Sequence, residues 1–384
     1  MFQDKGKTGY HGYWGSNFYR LDEHLPSAGL DFAALTRSLS ERGISTVLDI
    51  VGNHGSPAFG MLTPQPKFGQ IFDKDGVLVA DQQNLPADKL DPAQNPLHQF
   101  YNGKTEMVQL SDLNENNPAV MDYLVGAYLQ WIDQGAGAFR VDTIKHMPLT
   151  FWKTFSERIR GVHPGFFMFA EAYDFNAEKI APFTWPENGG ISVLDFPLKD
   201  RLAKVFGHDN AGFEKLADAL YLIDGPYQNP YELMTFYDNH DMPRLDADDY
   251  GFINAHNWLF TARGIPVIYY GSETGFMRGK AEHQGNRNYY GQERIDAGVS
   301  SPIYSNLKRI AQIRRENPAL QRGLQLNLLL DGKRAAFYRV YQHGESAQTA
   351  LVLLNKGDKP AKFSFSEKQL QPGEWKSAIS GNTY

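Results

Sequence analysis

"GAFRVDTIKHMP", residues 137–148, decides how this chain is read. Ala138, Phe139 and Val141 make the apolar run of a buried strand, yet Arg140 interrupts it and Asp142 ends it. Neither charge is cheap to bury, so the pair is tolerable only if each compensates the other. An arginine beside an aspartate favours its charged form, which makes Asp142 an anion aimed by Arg140.

Five more short apolar runs have the same character: residues 44–54 (ISTVLDIVGNH), 165–173 (GFFMFAEAY), 191–196 (ISVLDF), 232–241 (ELMTFYDNHD) and 265–273 (IPVIYYGSE). Helical patterns lie between them. Asn117 caps Pro118, and Val120, Leu124, Ala127 and Trp131 follow at helical spacing until Gly135. The stretches LTFWKTFSERIRGVHP, AGFEKLADALYLI, INAHNWLFTARG and SNLKRIAQIRREN read as further helices. Strands alternating with helices imply a parallel sheet covered by helices, and an α/β barrel gathers its strand ends on one functional face. Those ends carry Asn53 and His54, Arg140 and Asp142, Glu171, and His240 and Asp241.

Composition narrows the chemistry. The 384 residues, 42% hydrophobic and 13% aromatic, suffice for one large domain and a smaller one. A net charge of −6 with no Lys/Arg-rich run argues against nucleic acid or an anionic membrane as partner. The absence of cysteine excludes disulfides, thiolate metal sites and a cysteine nucleophile. No phosphate-cradling glycine motif is present. Three carboxylates with two histidines and an arginine suit glycoside cleavage, which needs one carboxylate as nucleophile and another as acid and then base.

The segments DIVGNH (49–54), AFRVDTIKH (138–146), FAEAY (169–173) and FYDNHD (236–241) resemble, in order, the four short conserved regions of the α-amylase family of glycoside hydrolases. YHGYWGSNFYRLD (10–22) and QLSDLNENNP (109–118) extend the resemblance, which covers roughly residues 10–320. It implies Asp142 as nucleophile, Glu171 as general acid/base and Asp241 as the third carboxylate. His54, Arg140 and His240 are implied around the cleaved ring, with Tyr13 stacked on it. Lys145, His146 and Tyr173 fall on the leaving-group or acceptor side, and Arg287 of GNRNYY contacts the sugar beyond. A structural Ca²⁺ is implied too, held by Asn53, Asp112 and the backbone oxygen of His146 and pinning the stretch after residue 54 to the barrel.

The fold expected from this resemblance is a (β/α)8 TIM-type barrel, formed by residues 1–54 and 117–323. An inserted subdomain (55–116) follows its third strand, and an antiparallel β domain (324–384) follows the barrel. The family's first two strands precede its counterpart of YHGYW, so the chain reads as clipped at its start, and the β domain as incomplete at its end. A lost leader would favour secretion or the periplasm over the cytoplasm, and an open barrel could be completed by another copy. By the same resemblance, Thr143, after the implied nucleophile, points to α-1,4 rather than α-1,6 bonds, in starch, maltooligosaccharides or cyclodextrins. YHGYW and TIKHM resemble cyclodextrin glucanotransferases, whose central aromatic is replaced here by Val108. Water is therefore the expected acceptor. A transferase, and a non-catalytic glucan-binding relative, are the alternatives, the latter opposed by retention of all three carboxylates.

Overall fold

A computed structural model describes residues 2–3, 11–59, 68–107, 109–282, 284–366 and 368–384, and they divide into two compact units. The first holds residues 1–173 and 182–193, the second residues 174–181 and 194–384.

In the first unit, β1 (Phe2–Gln3) pairs antiparallel with β2 (Asn17–Leu21), and α1 (Phe32–Ser40) leads into β3 (Thr46–Val51). Two small antiparallel pairs follow β3. In these, β4 (His54–Pro57) meets β7 (Leu110–Asp112), and β5 (Gln70–Phe72) meets β6 (Leu78–Asp81). Then α2 (Pro118–Asp133), β8 (Ala136–Asp142), α3 (Leu149–Val162), β9 (Phe167–Ala170) and β10 (Ser192–Val193) alternate. The four strands make a parallel sheet in the order β10-β9-β8-β3.

The expected start of α2 is observed: the Asn117 side chain accepts from Ala119 N–H, and Pro118 takes the first position, where no donor is needed. Its buried Val120, Leu124, Ala127 and Trp131 form the face turned to the core. Gly52, just past β3, is fixed by packing, since a Cβ there would lie 2.6 Å from the Trp152 indole of α3.

The second unit begins with the one-turn α4 (Ala177–Ile180) and α5 (Phe196–Phe206). Leu194 bridges in parallel to Met234 of β11 (Met234–Thr235), which pairs in parallel with β12 (Ile265–Pro266). Helices α6 (Asp249–Thr261), α7 (Gln292–Gly298), α8 (Pro302–Glu316) and α9 (Pro318–Arg322) complete the helical part of this unit. The expected C-terminal antiparallel sheet is present as β13 (Leu324–Asp331), β14 (Arg334–His343) and β15 (Ser346–Asn355). Ala335, Phe337 and Val352 of this sheet share one apolar core with Leu202, Phe213 and Trp258. Asp195 caps α5 through Leu198 N–H and pairs with Arg263 at 2.5 Å, both side chains wholly buried.

Two expectations are corrected in this unit. The runs 232–241 and 265–273 form only two-residue strands, and Pro266 has no N–H with which to extend the ladder. Residues 213–219 form a 3₁₀ helix rather than an α-helix. The Arg263 guanidinium takes the carbonyls of Ala219 and Leu220, at 2.7 and 2.8 Å, and Tyr221 then turns to a positive φ of 47°.

Candidate active site

Strand side chains alternate, so Arg140 and Asp142 share one face of β8. In the parallel register Asp49 of β3 stands opposite Arg140 on one side and Phe169 of β9 on the other. Glu171 follows β9 directly, its N–H donating to the Val141 carbonyl at 2.8 Å. Three neighbouring strand ends thus deliver carboxylates to one guanidinium.

Arg140 Nη1 donates to Asp142 Oδ1 at 2.7 Å and to Asp49 Oδ1 at 2.8 Å, while Nη2 donates to Glu171 Oε2 at 2.7 Å. Nη1 also lies 3.3 Å from the Tyr13 hydroxyl, which donates to Asp49 Oδ2 at 2.8 Å. Arg140, Asp142 and Glu171 are all less than one-tenth exposed. Burial opposes the charge on Arg140, but Asp49, Tyr13, Glu171 and Asp142 together raise its pKa well above the ordinary value. Burial, with Asp49 next, pushes the Tyr13 phenol well up, so it stays a neutral donor.

His54 is buried at the start of β4. Burial lowers its pKa to about 4 against the opposing pull of Asp142, leaving a neutral imidazole near neutral pH. Its Nδ1 has no hydrogen-bond partner among the described residues, nor have the two side-chain amide atoms of the fully buried Asn53. Asp112 bridges to His54 across the β4–β7 pair. Its carboxylate accepts from Asn102 Nδ2 at 3.0 Å and from Glu106 N–H at 3.0 Å. His146 approaches Glu106 at 3.4 Å. The Leu113 N–H donates to the Asn53 carbonyl at 2.8 Å, so Asn53 and Asp112 stand on adjoining backbone, and an orphaned buried carboxamide with a buried carboxylate on the facing strand suits a hard cation that takes oxygen ligands. Among the described residues no group of three or more His, Asp or Glu side chains gathers as a metal site.

Thr143 takes a left-handed backbone conformation (φ 50°, ψ 37°), rare for a β-branched residue, directly after Asp142. Strain of this kind concentrates at functional sites. Lys145 Nζ donates to the carbonyl of Tyr173, whose ring is half exposed.

Asp241, His240 and Arg287 belong to the second unit. Asp241 Oδ2 lies 2.9 Å from His240 Nε2, and Oδ1 accepts from Arg287 Nη2. Arg287 Nε also donates to the His240 carbonyl at 2.9 Å. Arg287, expected to contact sugar, pairs through its guanidinium with Asp241. Two residues that contact expected site residues are not singled out by the motifs: Asp49, which accepts from Arg140, and Asn286, which donates to the His240 carbonyl. Asp49 was signalled by a lone acid inside an apolar strand run; Asn286 had no signal beyond its place before Arg287.

Parallel strands alternating with helices, with an arginine-linked carboxylate cluster towards their carboxyl ends, define an α/β protein. The chain belongs to the family described as "Alpha amylase, catalytic domain", whose match covers residues 1–300. Its fold is accordingly of the (β/α)8 class. The cyclomaltodextrin glucanotransferase of Niallia circulans is 28% identical, with 97% of this chain and 52% of that protein covered. An alpha-amylase of the same organism is also 28% identical, covering 91% of this chain and 65% of that one. Among solved structures, CldA, a cyclomaltodextrin glucanotransferase with a three-domain ABC distribution, superposes with a TM-score of 0.78 at 30% identity, over 99% of this chain and 77% of that one. The acarbose complex of Geobacillus thermoleovorans alpha-amylase gives 0.77 at 25% identity, over 100% and 81%. The chain spans about half the length of the first curated relatives it matches. Among the described residues no helix is long and apolar enough to cross a membrane.

Proposed function

We propose that this chain is a retaining α-glycoside hydrolase acting on α-1,4 bonds of starch, maltooligosaccharides or cyclodextrins. The observation that carries the reading is the Arg140 guanidinium, which holds Asp142 and Glu171 at 2.7 Å each in a buried cluster. Two carboxyls joined by one guanidinium suit the closely spaced pair of a retaining mechanism rather than a pair parted by a water. Asp142 attacks the anomeric carbon while Glu171 protonates the departing glycosidic oxygen. A covalent glycosyl-enzyme results. Glu171, now a carboxylate, takes a proton from water as that water attacks the same carbon, and two inversions retain the α configuration. Asp241 stabilises the oxocarbenium-like transition state. Tyr13, His54 and His240 hold the reacting ring, the neutral His54 giving a hydrogen bond without adding positive charge. Lys145, His146 and Tyr173 receive the leaving or accepting sugar, and Arg287 orients Asp241 beside its expected sugar contact.

Calcium is part of this proposal. Asn53 Oδ1, the Asp112 carboxylate and the His146 carbonyl would hold it, and it would supply a cross-link between the inserted stretch and the strand ends. The orphaned Asn53 carboxamide supports that assignment.

Transfer to a sugar acceptor is a second reading, favoured by the many relatives named as glucanotransferases. Val108, the position that argues for water, lies outside the described residues. Product chromatography after incubation with maltoheptaose and β-cyclodextrin, in the presence of calcium, tests both readings. Short α-linked oligosaccharides support hydrolysis, products longer than the substrate support transfer, and no products from a cooperatively folded chain overturn the enzymatic reading.

A further inference from the structure

Two consecutive side chains, those of Asn286 and Arg287, donate to one carbonyl oxygen, that of His240. Asn286 Nδ2 reaches His240 O at 2.7 Å and Met242 O at 3.1 Å, the carbonyls on either side of Asp241. Asn286 is fully buried. Its own backbone carbonyl accepts from Arg244 Nη2 at 2.9 Å and from the Tyr269 hydroxyl at 3.1 Å. Arg244 is held in turn against the rings of Tyr269, Tyr270 and Phe276, with its carbon centre 4.4, 5.0 and 5.3 Å from their centroids. Gly285, which precedes Asn286, has φ +138°, a backbone conformation that L side chains rarely adopt.

We infer that Asn286 is a positioning residue for Asp241: its carboxamide fixes the backbone of residues 240–242 and so sets where the Asp241 carboxylate stands. Arg287 does not perform this task alone, because its guanidinium divides its contacts between Asp241 and Glu282, the latter at 3.5 Å, and is itself on a part-exposed side chain. The Asn286 carboxamide is enclosed and donates to two carbonyls of the segment it holds, those of His240 and Met242. The inference rests on the role proposed above for Asp241. A carboxylate that acts on the transition state must stand in place before the reaction, and a shift of about 1 Å costs about a hundredfold in rate.

The test compares wild type with Asn286→Leu, which keeps the side chain's approximate volume and removes its donors, alone and combined with Asp241→Asn. The expected result on maltoheptaose is a kcat lower by about a hundredfold with KM little changed. In the Asp241→Asn background the same substitution adds no further loss, because the two residues act as one unit. An unchanged kcat in a folded variant, or a full multiplicative loss on top of Asp241→Asn, overturns the inference. If Asn286→Leu does not fold, Tyr269→Phe replaces it, since it removes only the hydroxyl on the Asn286 carbonyl; a smaller fall in kcat at constant KM is expected, and no fall overturns the idea. The His240 imidazole resonances in an NMR spectrum give a readout that needs no turnover. They shift in either variant if the 240–242 backbone is released and stay in place if it is not. A wild type that cleaves no maltoheptaose defeats the functional reading, while the NMR comparison still decides whether Asn286 positions this segment.

Discussion

Asp49 stands directly opposite Arg140 in the parallel register of β3 and β8, and Arg140 Nη1 donates to Asp49 Oδ1 at 2.8 Å. Asp49 also accepts from the Tyr13 hydroxyl, so it is the outer anchor of the arginine whose other carboxylate partners are Asp142 and Glu171. Asp49→Asn keeps an acceptor oxygen and removes the charge. A hydrogen bond to a charged group contributes about 1.5–3 kcal/mol, so kcat/KM on maltoheptaose should fall by about 10- to 100-fold. Tyr13→Phe should show a smaller loss. Steady-state kinetics of both variants check this, and undiminished turnover in Asp49→Asn would remove it from the site.

Asp142→Asn and Glu171→Gln separate the two proposed catalytic roles. Each swap is isosteric, so thermal unfolding should stay close to wild type while turnover falls by several orders of magnitude, on the scale of about 10⁴-fold or more for a lost nucleophile or acid. Addition of azide distinguishes them. With an activated substrate, azide should give the retained α-glycosyl azide in Glu171→Gln, where it attacks the glycosyl-enzyme without needing a base, whereas any azide product of Asp142→Asn should be the inverted β anomer, formed by one direct displacement. Near-normal turnover in either variant would show that the roles are misassigned.

How much of this was legible in the sequence depends on what each residue's position requires. The strand that carries Arg140 and Asp142 could be read because charges inside an apolar run must be compensated, and the Asn117–Pro118 start of α2 because cap chemistry is local. The Arg287–Asp241 pair could not be, since it joins positions 46 residues apart through loops whose paths no periodicity records. The same holds for Asn286. Asp49 is an intermediate case: it lies inside the first motif, yet its importance depends on the register that sets β3 against β8. The 3₁₀ helix at 213–219 has a helical apolar pattern, and the Arg263 guanidinium that takes the carbonyls at its end, those of Ala219 and Leu220, comes from another part of the chain.

His256 of α6 ties stability to pH. It is fully buried, with Nε2 2.7 Å from the Tyr237 hydroxyl and Nδ1 without a hydrogen-bond partner among the described residues. Burial lowers its pKa to about 3, below the ordinary 6.5. The unfolded chain therefore binds the proton first as pH falls. The contribution is fully present above pH 6.5 and is lost progressively between about pH 6.5 and 3, with a slope of at most about 1.4 kcal/mol per pH unit. Asp238 has the opposite sign: burial raises it to about 6, so its contribution is complete below about pH 3.8 and is lost as pH rises through 6. Urea denaturation at a series of pH values checks both. His256→Gln should flatten the acid-side loss relative to wild type, and Asp238→Asn should flatten the opposing change between pH 4 and 6. Parallel stability curves for wild type and His256→Gln would mean that the imidazole is not held neutral by burial.

Calcium offers a test that requires no catalysis. The buried Asn53 carboxamide has no hydrogen-bond partner among the described residues, and Asp112 is raised in pKa chiefly by burial. Both features cost the folded chain unless a cation compensates them. A cation that binds only the folded state adds about 2.7 kcal/mol when present at 100 times its dissociation constant. Wild type should therefore melt several degrees higher in millimolar calcium than after treatment with a chelator. Asn53→Leu removes the proposed oxygen ligand and the unsatisfied amide together, so it should lose most of the calcium-dependent shift while its chelated form melts no lower than chelated wild type. Asp112→Asn should lose the shift as well. If calcium raises the melting temperature equally in wild type and Asn53→Leu, the ion binds elsewhere; if it raises neither, the orphaned carboxamide needs another explanation and calcium drops out of the proposal.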